Sequence, residues 1–198
     1  MIKKNSGPVS LAISQGGFTL VEALFAVSIL TFTITGLMTI VANSLFSTRF
    51  AKDEITVNYL LQEAVDYIRN DRDTSIFLKG EDTTTFLKDY ANCVAPNGCY
   101  FDVLSKMEGT GSINSCADDG CEPFYYNQDK VSNDDGNPFY ISNITDITNM
   151  FKTSFRRKII ITKEPTSNEI KVQVTVNWVN GILPMERSLS TSLLDWRQ

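Results

Sequence analysis

Near its N-terminus the chain has a run of 29 residues, positions 18–46, in which Glu22 is the single charged side chain and no proline occurs. As an α-helix this run would span about 44 Å, more than the roughly 30 Å hydrocarbon core of a bilayer. The residues before it include two lysines and no acidic residue. Because positive residues stay on the cytoplasmic side, we expect the N-terminus in the cytoplasm and the chain beyond residue 46 outside.

The position of the small residues around this run predicts where the chain is cut. Gly16 and Gly17 precede the run, whereas the cleavage site of a secretory signal peptide follows its apolar region. Cleavage after Gly17 would remove a charged leader, residues 1–17, and leave the hydrophobic helix at the new N-terminus. The alternative is cleavage after Ala42, which would release residues 43–198. The run exceeds the roughly 7–15 apolar residues of a signal peptide, which favours the first site.

The residues around the first site, Gly-Gly-Phe-Thr-Leu-Val-Glu-Ala-Leu at positions 16–24, resemble the class III signal of type IV pilins and type II secretion pseudopilins. The resemblance implies that a prepilin peptidase cuts between Gly17 and Phe18 and methylates the amine of Phe18. It further implies that Glu22 pairs with the α-amine of Phe18 in a neighbouring subunit and sets the register of a filament. A carboxylate within a membrane helix is itself a functional hypothesis, since it costs about 2.5–3.5 kcal/mol at the bilayer centre. The alternative is that Glu22 merely reaches the lipid headgroups.

The helix is expected to continue to about residue 71. Apolar residues recur there at helical spacing, which predicts an amphipathic segment over residues 47–72 with one face against a core. They are Val57, Leu60, Leu61, Ala64, Val65 and Ile68.

The C-terminal part of the chain predicts a sheet. Residues 170–178 alternate between apolar and polar side chains, as a half-buried strand does, and Asn180-Gly181 marks a hairpin turn. Flanking strands are expected at 159–162 and 186–194, so that an antiparallel meander at about 155–194 covers the helix. Residues 73 to about 150 are expected to be irregular.

Short strands are predicted within that irregular stretch at 100–104, 123–126 and 139–141, between turn signals rich in Gly, Asn and Asp. The predicted fold class is α+β: a long N-terminal α-helix packed against a C-terminal antiparallel β-meander, with residues 73–198 as an extracytoplasmic globular domain. This order of elements is that of the pilin fold. The chain end is also similar to minor pilins of the pilus-modification type and to I-type pseudopilins.

The four cysteines all follow the apolar run and fall in pairs, Cys93 with Cys99 and Cys116 with Cys121. Each pair encloses a turn, so two local disulfides are the first expectation, although four cysteines allow three pairings. A zinc site with four thiolate ligands is the metal alternative, which an oxidising compartment disfavours.

Calcium is a second metal hypothesis, because two acidic turns offer oxygen ligands. One contains Asp118, Asp119 and Glu122, and the other contains Asn133, Asp134, Asp135 and Asn137. Neither turn has the spacing of an EF-hand loop, so we predict neither a resident metal nor another cofactor.

Composition removes several functional classes. The chain has no histidine, which excludes Ser-His-Asp and Cys-His catalysis, and no other nucleophile and base form a recognisable set. Its net charge of −5 lacks the positive excess of nucleic-acid binding. We therefore expect neither an enzyme nor a nucleic-acid partner.

The resemblance implies a structural subunit, a minor pilin or pseudopilin, that is first a single-pass membrane protein and then part of a surface or periplasmic filament. Its implied partners are other pilin subunits, prepilin peptidase and the inner-membrane assembly platform. The alternative function is a membrane-tethered or secreted extracytoplasmic binding domain that does not polymerise.

Overall fold

The computed structural model describes residues 17, 19–94, 96–107, 109, 111–117, 120–127, 140–142, 150–163 and 169–194. Contacts along the chain divide it into two units, Met1–Thr48 and Arg49–Gln198. In the first unit the described structure is helical from Leu20 onward, and the second unit is globular.

Helix α1 (Leu20–Phe77) crosses from the first unit into the second. It ends six residues later than the predicted residue 71. Gly80 has a φ of +71°, and the amide of Glu81, the next residue, donates a hydrogen bond back to the carbonyl of Ser75 at 3.0 Å. This is the usual way in which a glycine just past the last turn terminates a helix. Gly80 was therefore the sequence signal for the end of α1.

Three short helices occupy part of the stretch predicted to be irregular: α2 (Thr83–Asp89), α3 (Ala91–Val94) and α4 (Val103–Met107). The Asp82 carboxylate caps α2 by accepting a hydrogen bond from the Thr85 amide at 2.8 Å. The predicted strand at 100–104 is wrong beyond Tyr100. The Asp102 carboxylate accepts from the Leu104 amide at 3.0 Å and so begins α4 instead of continuing a strand.

The described part of the chain contains one sheet of seven strands, and every pairing in it is antiparallel. The strands are β1 (Cys99–Tyr100), β2 (Asn114–Ser115), β3 (Pro123–Asn127), β4 (Tyr140–Ile141), β5 (Met150–Lys163), β6 (Glu169–Asn180) and β7 (Leu183–Leu194).

Strands β5, β6 and β7 form the meander, with β6 in the middle. The other edge of β5 pairs with both β1 and β3, and these two strands in turn pair with β2 and β4. Strand β5 begins at Met150, nine residues before the predicted start at residue 159. Arg157 takes a buried position between Phe155 and Ile159 and so breaks the apolar alternation that marks a strand.

The core of the globular unit lies between the second half of α1 and the inner face of the sheet. All six residues of the predicted helical face, from Val57 to Ile68, are buried. The five alternating residues of β6, from Ile170 to Trp178, are at most 2% exposed. The predicted α+β arrangement of a long N-terminal helix and a C-terminal antiparallel sheet is thereby confirmed.

Candidate functional site

The first candidate site is the N-terminal part of α1. Residues 19–49 are all exposed, and α1 is long and apolar enough by length and composition to cross a membrane. Residues 20–46 span about 40 Å along a helix axis, enough for the hydrocarbon core of a bilayer. Large exposed apolar surfaces of this kind mark membrane or protein contacts.

Five hydroxyl groups within this segment donate hydrogen bonds to the backbone of the helix itself. Ser28, Thr31, Thr33, Thr35 and Thr39 each donate to a carbonyl oxygen three or four residues earlier, at 2.7 to 3.1 Å. In lipid a polar group needs an internal partner, because water is absent. These hydroxyls are therefore compatible with a hydrocarbon environment, even though threonine lowers helix propensity.

The start of α1 places the residues of the predicted cleavage signal. Gly17 is exposed, and among the described residues no atom lies within 4 Å of the place where a Cβ would stand. Phe18 lies outside the described residues. Thr19 occupies the N-cap position, since its Oγ1 accepts a hydrogen bond from the Glu22 amide at 3.3 Å.

Glu22 is exposed in the first turn of α1, where a negative side chain interacts favourably with the helix dipole. The spacing Thr19-x-x-Glu22 is that of a capping box. Sequence reasoning did not identify this role of Thr19, although the pattern that reveals it was visible. Glu22 therefore stabilises the start of α1 locally, in addition to the assembly role that the resemblance implies.

All four cysteines are paired. Cys93 of α3 bonds to Cys99 of β1, and Cys116 bonds to Cys121. The first disulfide is completely buried and ties α3 to the sheet, because Cys99 faces Ile159 of β5. No thiolate remains for a zinc site with four cysteine ligands.

A second candidate site, not anticipated from the sequence, surrounds Arg157 on the inner face of β5. The side chain is 1% exposed. Its guanidinium donates to the carbonyl of Leu60 at 2.9 Å, to the carbonyl of Phe101 at 2.8 Å and to Oε2 of Glu63 at 2.7 Å. Its Cζ lies 5.0 Å from the ring centroid of Phe124.

This arginine connects α1, β3, β5 and the segment before α4. Buried charged side chains are rare unless they are paired and hydrogen-bonded, and Arg157 satisfies both conditions. An open cleft of about 410 Å³ borders the pair, lined by residues that include Tyr59, Glu63 and Tyr140. Glu63 and Arg157 thus form an ion pair that joins α1 to β5 at the edge of this cleft.

Asp102 lies close to the same cluster. It is 4% exposed and accepts hydrogen bonds from the Leu104 amide and from the Ser105 hydroxyl, both at 3.0 Å. Burial raises the pKa of the Asp102 carboxyl, and these two hydrogen bonds oppose that rise. Its bonds to α4 identify this carboxylate as a helix cap.

The calcium hypothesis falls mainly outside the described residues. Asp118, Asp119 and residues 133–137 are not described, and Glu122 is exposed. Within the part of the chain that the structure describes, no three Cys, Asp or Glu side chains come close enough together to hold a metal ion.

Comparison with protein-family models, with curated proteins and with solved structures finds no match to this chain.

Proposed function

We propose that this chain is a structural subunit, a minor pilin or pseudopilin, of a type IV pilus or a type II secretion-like filament. The observation that carries the proposal is the change of surface along α1. Residues 20–46 are exposed and almost wholly apolar, whereas the face from Val57 to Ile68 is buried beneath the sheet. One helix thus offers a membrane or assembly segment and the core of a globular domain.

In this proposal the exposed segment has two successive environments. Lipid covers residues 18–46 in the newly made subunit, and the corresponding helices of other subunits cover them after assembly. The hydroxyl groups bonded within the helix suit both environments, since both exclude water. Prepilin peptidase and the inner-membrane assembly platform are the partners that act before and during this transfer.

The two disulfides support placing the globular unit outside the cytoplasm, because disulfides persist in oxidising compartments. With the N-terminal lysines on the cytoplasmic side, the subunit would cross the membrane once. The role proposed here is structural and requires no catalytic group.

The proposed processing is tested by intact-mass analysis of the protein from its native membrane. We expect the loss of residues 1–17 and the addition of one methyl group. A Gly17→Leu variant is the matched control, because it should retain residues 1–17 while keeping the apolar run intact. A mature chain that begins at Asn43 would contradict the proposal and support a released binding domain.

The proposed assembly is tested with Glu22→Leu. The variant should enter the membrane at least as well as the parent, because it removes a charge from an apolar segment. Its yield in sheared filaments should fall sharply, since an α-amine buried without its countercharge costs about 3–5 kcal/mol.

Thr19→Ala is the matched control for this experiment. It removes the side-chain cap of α1 but keeps the Glu22 charge. We expect Thr19→Ala to assemble at nearly the parental ratio of filament to membrane protein. If Glu22→Leu is processed normally and assembles at that same ratio, Glu22 does not set the filament register.

A further inference from the structure

The hairpin between β6 and β7 ends in an unusual tip. Residues 179–185, Val-Asn-Gly-Ile-Leu-Pro-Met, contain no charged side chain. Three of them are large apolar residues that face solvent: Val179 is 49% exposed, Ile182 is 93% exposed and Leu183 is 58% exposed. Gly181, with a φ of +66°, makes the turn that presents them. Hairpin turns in water usually carry polar residues, so this tip is expected to have an apolar partner.

Contacts with α1 locate the tip within the globular unit. Arg187 of β7 forms an ion pair with Glu54 at 3.1 Å, whereas at the far end of the strand the Leu194 carbonyl accepts from Arg72 at 3.0 Å. Strand β7 and helix α1 therefore run in the same direction. The tip, which precedes Arg187, lies at the end of the unit where Arg49 begins it.

Measured from the Arg187–Glu54 ion pair towards the N-terminal end of α1, the tip also extends farther than Arg49, the first residue of the globular unit. From Arg187 back to Leu183 is four residues of strand, about 13 Å. From Glu54 back to Arg49 is five residues of helix, about 7.5 Å. Arg49 in turn follows the apolar run, which ends at residue 46, by three residues.

We propose that the tip inserts Ile182 and Leu183 into the surface of the bilayer that holds the unassembled subunit. The inference rests on the membrane anchoring in the proposed function, and it adds a second contact with lipid. Chain connectivity supports this partner, since the end of the unit that carries the tip is the end joined to the membrane segment. Exposed Arg49 and Lys52 lie at the same end, but Asp53 and exposed Glu186 balance their charge, so that the apolar side chains of the tip supply the attraction to lipid.

A second contact has a consequence for assembly. With the tip in lipid, the globular unit would be attached to the membrane at two points, the helix α1 and the hairpin tip. Entry into a filament would then require withdrawal of the tip from lipid.

The experiment uses the full chain in vesicles of phosphatidylcholine and phosphatidylglycerol. An Ile182→Cys variant is labelled at its new thiol with an environment-sensitive fluorophore. The labelling is selective, because the native cysteines are all in disulfides. Nitroxide groups at a shallow position of the lipid acyl chains quench any label that enters the bilayer surface. Ser192→Cys, exposed at the far end of β7, is the matched control. Thr39→Cys reports insertion of α1.

We expect quenching of the label at position 182 to be several-fold stronger than at position 192, with a blue-shifted emission. A further Leu183→Asp substitution should reduce quenching at 182 to the level of the control. Equal quenching at 182 and 192, with strong quenching at 39, would overturn the tip inference and leave the anchoring intact. Absence of quenching at position 39 would refute both the insertion of the tip and the membrane anchoring of α1. Energy transfer between labels at 182 on different copies, without lipid quenching, would identify a second copy as the partner and also overturn the inference.

Discussion

Replacing Arg157 with methionine is the sharpest test of how the globular unit is held together. Methionine keeps an unbranched apolar stem in the core but cannot donate to the three oxygens that the guanidinium contacts. Glu63 and the carbonyl groups of Leu60 and Phe101 all lose their side-chain donor. The losses are unequal, because the three acceptors differ in exposure and in their other partners.

The magnitude follows from those differences. A buried carbonyl left without a donor costs about 1–3 kcal/mol, which applies most directly to Phe101, since the Leu60 carbonyl lies within α1. Loss of the contact between the guanidinium and the Phe124 ring adds about 1 kcal/mol. The Glu63 side chain is 42% exposed, so that water replaces most of its lost partner. We expect unfolding free energy to fall by about 2–4 kcal/mol.

The assay is equilibrium urea unfolding of the full chain in detergent, followed by tryptophan fluorescence, because Trp178 is buried at 2% exposure. With a urea dependence of about 1–3 kcal/mol per molar, the midpoint should fall by about 1–2 M. Lys158→Met is the matched control, since it removes the neighbouring cation from the same strand. Lys158 is only partly buried and lies on the opposite face of β5 from Arg157, so that its replacement should cost clearly less than that of Arg157. If Arg157→Met and Lys158→Met lower the midpoint equally, the buried arginine does not organise the core.

Three further predictions concern other residues of the globular unit. Gly98→Ala should destabilise the globular unit by about 1–3 kcal/mol in the same urea assay. Gly98 has a φ of +70°, and an added Cβ would lie 2.7 Å from a backbone oxygen of β5. Gly80→Ala is the control and should cost less, because a Cβ added at Gly80 would have no described atom within 4 Å. The Tyr90 hydroxyl donates to Asp71 at 2.8 Å, and burial first, then the Asp71 charge, raises the pKa of Tyr90. Its contribution should therefore persist below about pH 10 and be lost as pH rises. Tyr90→Phe should weaken this alkaline loss of stability in pH-dependent urea unfolding without abolishing it, because burial also raises the pKa of Tyr67 and Tyr100. Hydrogen bonds at the α2 cap lower the pKa of Asp82 to about 2. Protection of the α2 amides from exchange should therefore fall as pH drops from about 4 towards 2, and Asp82→Ala should abolish this dependence.

The parts of the fold that could be predicted from the sequence are those with a strong hydrophobic period. The apolar face of α1 and the alternation along β6 each repeat over several residues, and each repeat specifies which side is buried. The strand β5 was predicted at less than a third of its length. Arg157, near the middle of β5, conceals the alternation, since it occupies a buried position where an apolar residue is expected.

The sites that could not be predicted depend on contacts between distant parts of the chain. Arg157 is buried because Glu63 and the Phe101 carbonyl come from elements 94 and 56 residues away. No local sequence pattern predicts contacts between residues so far apart in the chain. The helix caps are different, because Thr19, Asp82 and Asp102 each act on an amide two or three residues later, and their local pattern is sufficient to find them.

The two halves of helix α1 have different surroundings and therefore need different sequences. In the globular half, one face packs beneath the sheet and the other faces water, so that apolar residues recur at intervals of three and four from Val57 onward. In the N-terminal half every side is exposed, and nearly every side is apolar. A helix apolar on all sides needs an apolar environment on all sides, which the globular unit alone cannot supply. Lipid or a ring of neighbouring helices can supply that apolar environment. The carboxylate of Glu22 would favour the ring of helices, because a carboxylate is costly in lipid, whereas an amine on a neighbouring helix would stabilise it.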